Sequence, residues 1–198
     1  MRAIVDVDRA ARARDAVAMS THVDQFRAFA DYNTRFNAQV YGHCDGLSDE
    51  ERKKDRGAFF SSIHKTLGHI LLADRIWLGR MSTCGVAAKA LEGAALITSF
   101  GQLDDDLYPA WSDLVRERRA TDAVLAQWTA ALDDGALSVR MRYANSRGVV
   151  REHPAYVAIA HLFNHQTHHR GQVTTLLFQA GIDPGVTDFL AFAAPPVT

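Results

Sequence analysis

The chain has 198 residues, of which 47% are hydrophobic and 23% charged, and a formal net charge of −1. Those proportions belong to a globular protein and exclude a disordered or fibrous one. The near-neutral balance gives no electrostatic reason to expect nucleic acid or an anionic membrane as partner. No stretch approaches the roughly 20 apolar residues of a membrane span, and no signal-type apolar run stands at the start. Cys44 and Cys84 lie far apart, outside any metal-ligand spacing, so a reducing, cytoplasmic setting is the expectation. A single domain over 1–198, with 1–20 as an N-terminal extension, follows from the length.

The first predicted helix runs from about Thr21 to His43, where Val23, Phe26, Ala30, Asn33, Phe36 and Val40 recur at three- and four-residue steps. Ser48 and Glu51 then form a capping-box signature for a short helical turn. A second helix is predicted over Ala58 to Met81, with Phe59, Ile63, Leu67, Ile70 and Trp77 on its buried face. Asp74 falls inside that face and His69 on its flank. Residues 82–102 read as a connector. The third helix covers about Leu103 to Asp133 and stops before the turn signal Asp134-Gly135. The period then changes. Leu137, Val139, Met141 and Tyr143 alternate with other types, and Val149, Arg151 and His153 follow a Gly-containing loop, which predicts a β-hairpin. Pro154 opens a fourth helix that runs to about Ala180, with Gly181 as its stop. Together these elements predict an all-α four-helix bundle with a small β-hairpin before the last helix.

The fourth helix carries the main chemical clue, His161-Leu-Phe-Asn-His165-Gln-Thr-His168-His169-Arg-Gly-Gln172. Histidines four residues apart on a helix are offset by only about 40°, so His161, His165 and His169 form one stripe. Rings at i and i+4 can grip one transition metal, whereas His161 and His169 are roughly 12 Å apart along the backbone, too far for all three to share an ion. A pair such as His165 and His169, with a third ligand from a facing helix, is the more economical set. His69 is the leading candidate for that third position. His64, five residues earlier, points elsewhere, and His22, His43 and His153 read as surface residues near element ends. The plain alternative is a polar seam of hydrogen-bonded histidines with no metal.

The H-E-x-x-H zinc-protease motif is not met, because Gln166 stands where that chemistry needs a glutamate base. Three neutral imidazoles would leave Zn²⁺ or Ni²⁺ with open positions, able to polarise a bound group or to lower the pKa of bound water or thiol. Asp74 and Asn33, polar at apolar phases, read as ties between helices. Gly171 reads as a site of close helix approach, and Arg170 as a salt-bridge or oligomer contact turned away from the stripe.

The segment Ser62-Ile-His-Lys-Thr-Leu-Gly-His69-Ile-Leu-Leu-Ala-Asp74-Arg-Ile-Trp77-Leu, followed by the fourth-helix histidines, resembles the DinB family of damage-inducible proteins. Tyr32-Asn33, Gly181 and Asp188 fit the same pattern, and the likeness covers about residues 22 to 192. The resemblance implies a DinB/YfiT-like bundle of up-down-down-up arrangement, a divalent metal held by His69, His165 and His169, and a homodimer. It also points to a stress-response role. Relatives in the wider superfamily use low-molecular-weight thiols, so a thiol S-transferase-like or hydrolase-like enzyme is the leading expectation. The alternative is a non-catalytic protein with a structural metal, or a small-molecule-binding bundle.

Overall fold

The computed structural model describes residues 22–99, 101–102 and 106–193. The proposed extension at 1–20 lies outside them. The described chain is mostly helical. Its elements are α1 (His22–Asp45), α2 (Asp49–Lys53), α3 (Ile63–Thr83), a 3₁₀ turn (Ala88–Leu91), α4 (Trp111–Ala130), α5 (Asp134–Ser138), β1 (Arg140–Ala144), β2 (Val150–Pro154), α6 (Ala155–Gln179) and α7 (Phe189–Ala193). The two strands pair antiparallel, from Arg140 opposite Pro154 to Ala144 opposite Val150. No described helix is long and apolar enough to cross a membrane.

Each of the four long helices packs against two others: α1 against α4 and α6, and α3 against α4 and α6. Two apolar clusters fill the space between them. One gathers Phe26 and Ala30 of α1, Leu78 and Met81 of α3, Leu125 and Trp128 of α4, and Ala158 to Phe163 of α6. The other gathers Phe36 and Val40 of α1, Ile63 to Leu71 of α3, Leu114 of α4, and Val173 to Leu177 of α6.

Every long helix also contributes buried polar residues: Asn33 and Asn37, Asp74, Arg118 and Asp122, Gln166 and Arg170. Arg118 donates from Nη1 to Asp74 Oδ2 at 2.6 Å, and its Nη2 lies 2.8 Å from Asp122 Oδ1. Asn33 and Asn37 donate to the same Asp122 oxygen at 2.9 and 3.0 Å. Arg170 donates to Asn33 Oδ1 and lies over the rings of Tyr32 and Phe36. Asn33 and Asp74 thus tie helices together, as their phase indicated. Arg170 is neither a surface salt bridge nor an oligomer contact; it is 1% exposed, inside the molecule. Burial pushes the carboxyls of Asp74 and Asp122 above the ordinary range, against the pull of Arg118.

Several boundaries differ from those the sequence predicts. The helix expected from Ala58 begins at Ile63, because Ser62 caps it by accepting from Lys65 N–H at 3.2 Å. The residues before it form a tight turn, with Gly57 at φ +73° and Ser61 at φ +59°. Phe59, expected on a buried helix face, is therefore 87% exposed. The expected start of the third helix at Leu103 lies outside the described residues; residues 106–110 are not helical, and α4 begins at Trp111, just after Pro109. It ends at Ala130, before Asp134-Gly135 as expected, but that pair opens α5 rather than a turn: Asp133 Oδ1 accepts from Ala136 N–H at 2.7 Å, and Leu137 joins that short helix rather than a strand. Ser48 caps α2 as expected, while the Glu51 side chain turns to Lys54 and Arg56. The connector is well anchored. Val86 and Leu91 are buried, and Val86 O accepts from Trp128 Nε1–H at 3.0 Å.

The expectation for Gly171 is overturned. A Cβ there would meet nothing within 4 Å. The close approach falls at Gly79, where a Cβ would sit 2.4 Å from Ile97 O, held there by an Ile97 N–H to Arg75 O bond of 3.2 Å. Two stability outcomes follow. Gly171→Ala should raise the unfolding free energy by about 0.5–1 kcal/mol, and Gly79→Ala should lower it by about 1–3 kcal/mol through overpacking, both read from urea titrations. In the polar layer, Asp122→Ala should cost about 3–5 kcal/mol, because Arg118 stays buried with half its compensation removed; thermal melting checks this.

Candidate metal centre

The long helices α3 and α6 bring three imidazoles together. His69 stands on α3, and His165 and His169 stand one turn apart on α6. Their available nitrogens lie within 4.8 Å of one another, so the group could hold a metal ion. The Nε2 atoms of His69 and His165 face each other at 3.1 Å. Two nitrogens on one tetrahedral zinc are roughly 3.3 Å apart, given Zn–N of about 2.0–2.1 Å. The donor set therefore fits a divalent transition metal with little rearrangement.

The surroundings hold the rings in place. Phe60 stacks on His69 with centroids 4.0 Å apart and meets His169 edge-on at 5.5 Å. His169 Nδ1–H donates to Gln172 Oε1 at 2.8 Å, which leaves the Nε2 lone pair free for a ligand role. This function of Gln172 went unassigned from sequence; the i, i+3 spacing from His169 is the signal that reveals it. Phe60 left no comparable signal, because its position depends on the turn before α3.

Neutral rings are what a metal needs, and burial supplies them. It pushes His165 down to about 3, aided by the neighbouring imidazoles of His169, His69 and His161. It pushes His169 down to about 4, with the Gln172 hydrogen bond opposing. At neutral pH both therefore carry no proton charge.

The other histidines separate cleanly. His161 is exposed, lies against Trp77 at 4.9 Å and reaches His165 only at 5.8 Å between centroids, a neighbour of the cluster rather than a member. His64 turns away and donates from Nε2 to Tyr108 O at 2.9 Å. His22 is exposed, but His43 and His153 are half-buried rather than on the surface. His153 donates from Nδ1 to Pro154 O and accepts from the Tyr143 hydroxyl, both at 3.0 Å, so the hairpin encloses it.

The three histidines line a cavity of about 940 Å³, whose wall includes Phe59, Phe60, Lys65, Arg147, His168 and Gln172. That size suits a small molecule. A second cavity, of about 590 Å³, lies between α1, α6 and the segment leading into α7; it is lined largely by aromatic rings such as Phe26, Phe29 and Phe163 and has no comparable set of ligating groups. The wall turn beside the histidines is strained: Ser61 holds a left-handed backbone that glycine would adopt more readily, at a cost of about 1–3 kcal/mol.

Protein DinB of Bacillus subtilis (strain 168) is 24% identical over 161 residues, which cover 80% of this chain and 88% of that protein. No solved structure matches the chain significantly. The profile of the DinB family matches residues 19–196, nearly the whole sequence, and the chain belongs to the DinB family.

Proposed function

We propose that this protein is a metal-dependent enzyme acting on a small molecule, with His69, His165 and His169 as ligands to zinc or nickel and thiol S-transferase-like or hydrolase-like chemistry. The observation that carries this reading is the convergence of three imidazoles at the wall of a cavity wide enough for a substrate. A divalent ion there would supply Lewis acidity, polarising a substrate group or easing deprotonation of water or a thiol. The chain's own residues do the rest. Gln172 fixes the tautomer and tilt of His169, Phe60 shields one face of His69, and the cavity admits the substrate from outside.

A closed structural metal site normally has four protein ligands. Among the described residues the ligating group has three, which favours the enzyme over a non-catalytic protein. The same reading takes the bundle as up-down-down-up. Its support is the order in which α1 and α6 pass from the first apolar cluster to the second, while α3 and α4 pass the other way. It also takes the protein as cytoplasmic, in keeping with two free cysteines, and, on the family resemblance alone, as a stress-induced homodimer.

Purified without a histidine tag and loaded with zinc or nickel, the protein should bind one ion per chain by elemental analysis. His165→Ala and His169→Ala should each abolish stoichiometric binding. Gln172→Ala should weaken it about 10–100-fold, and His161→Ala should retain it. Turnover of an electrophilic substrate with a candidate thiol, or of an ester without one, should disappear in the same ligand variants. Full metal binding by both His165→Ala and His169→Ala would refute the ligand assignment.

The acid sensitivity of the metal-free protein has a definite sign. His165 and His169 bind protons more weakly when folded than when unfolded, where imidazole titrates near 6.5. The unfolded chain therefore takes up more protons between about 6.5 and 4, and stability falls as pH drops through that window. Asp122, pushed up to about 6 by burial, works in the opposite sense. With chelator present, wild type should lose melting temperature more steeply from pH 6.5 to 4 than a His165→Asn/His169→Asn variant, in which the carboxylate contributions are unchanged. Parallel profiles would show that the rings titrate normally.

A further inference from the structure

The wall of the histidine cavity carries one step beyond the proposed function, on which it rests. Its charged side chains among the described residues are both basic, Lys65 and Arg147. Lys65 stands on α3 one turn before His69 and so shares its face. Arg147 stands in the hairpin loop, where Asn145 Oδ1 accepts from the backbone N–H groups of Arg147 and Val149 at 2.9 and 3.0 Å. That double bond to one side chain sets the loop that presents Arg147 to the cavity. Both cations are exposed, and neither has an ion-pair partner among the described residues. Arg27, Arg35, Arg116 and Arg140, by contrast, each pair with a carboxylate.

Three neutral imidazoles add no negative charge, so a divalent ion held by them keeps its full charge toward the cavity. No described Asp or Glu lines the wall. Phe59 supplies an apolar ring that is 87% exposed. We infer that the cavity selects a small organic anion: a donor end that reaches the three-histidine centre, an apolar portion against Phe59, and a carboxylate tail drawn to Lys65 and Arg147. The guanidinium fork of Arg147 matches a carboxylate in geometry as well as charge.

The test uses cobalt-loaded protein and three thiols of different tail charge: 3-mercaptopropionate, 2-mercaptoethanol and cysteamine. The sulfur-to-cobalt absorption band reports occupancy of the centre without reference to turnover. Taking each dissociation constant relative to that in Lys65→Ala/Arg147→Ala cancels the differing basicity of the thiols. Exposed charge pairs each shift an equilibrium by up to about fivefold. The preference for 3-mercaptopropionate over cysteamine should therefore fall by about tenfold in the double variant, and should shrink with added salt in wild type. The charge-preserving Lys65→Arg/Arg147→Lys protein should keep most of the wild-type preference. Equal preference in wild type and the alanine variant, or cobalt binding with no thiol band, overturns selection for the anionic tail and leaves the metal centre standing. Failure of wild type to bind cobalt overturns the metal centre itself, and the inference with it. Both positions are exposed, and unchanged melting temperatures confirm that the variants fold.

Discussion

The arrangement of the site depends on a layer of buried charge shared by all four long helices. Asp74, Arg118, Asp122 and Arg170, with Asn33 and Asn37, form a connected set of ion pairs and hydrogen bonds between two apolar clusters. Withdrawing such groups from water is expensive, and the cost is offset only while each finds its partner. A helix cannot slide by a residue or rotate by 100° without stranding a charge. An apolar seam of leucines would tolerate that slip far better. The layer therefore fixes the height and rotation of α3 and α6 relative to each other.

That constraint reaches the histidines through the chain itself. His165 and Gln166 are consecutive, as are His169 and Arg170, and consecutive residues on a helix point about 100° apart. Gln166 and Arg170 are drawn inward, so His165 and His169 are turned toward the cavity. On α3, Asp74 locks to Arg118 while His69 lies less than two turns earlier. Two locks on two helices suffice to bring Nε2 of His69 to 3.1 Å from Nε2 of His165. The convergence follows from register, and it leaves His69 and His165 within hydrogen-bond distance while the neighbouring rings disfavour protonation of His165.

Much of this was legible in the sequence where one element's period governs the outcome. The four-residue recurrence of histidine placed His165 and His169 together, and Asn33 and Asp74 at apolar phases marked the ties between helices. The resemblance to a known family pointed to the same three histidines that the structure brings together. Reasoning failed where a local backbone decision overrode periodicity. Phe59 is in helical phase with Ile63 and Leu67, yet Ser62 captures the cap and the left-handed Ser61 throws the ring outward. Arg170 read as a salt-bridge or oligomer contact because no sequence rule weighs Tyr32, Phe36 and Asn33 as its joint partners. Gly79 was hidden inside a regular helix, and only the path of the connector over it explains the missing side chain.

The two faces of α6 divide the electrostatics of the molecule. Toward the interior, opposite charges compensate one another within hydrogen-bond distance. Toward the cavity, the imidazoles of His165 and His169 are neutral, and the flanking charges of the wall among the described residues are both positive. Potential in a low-dielectric cleft is governed by the charges left unbalanced, and here those have one sign. A divalent cation bound by the three imidazoles would be held by lone pairs alone and would present its charge to the cavity. The inward charges fix geometry, and a step of one residue along α6, from Gln166 to His165 or from Arg170 to His169, separates them from the three-histidine cluster that Lys65 and Arg147 flank.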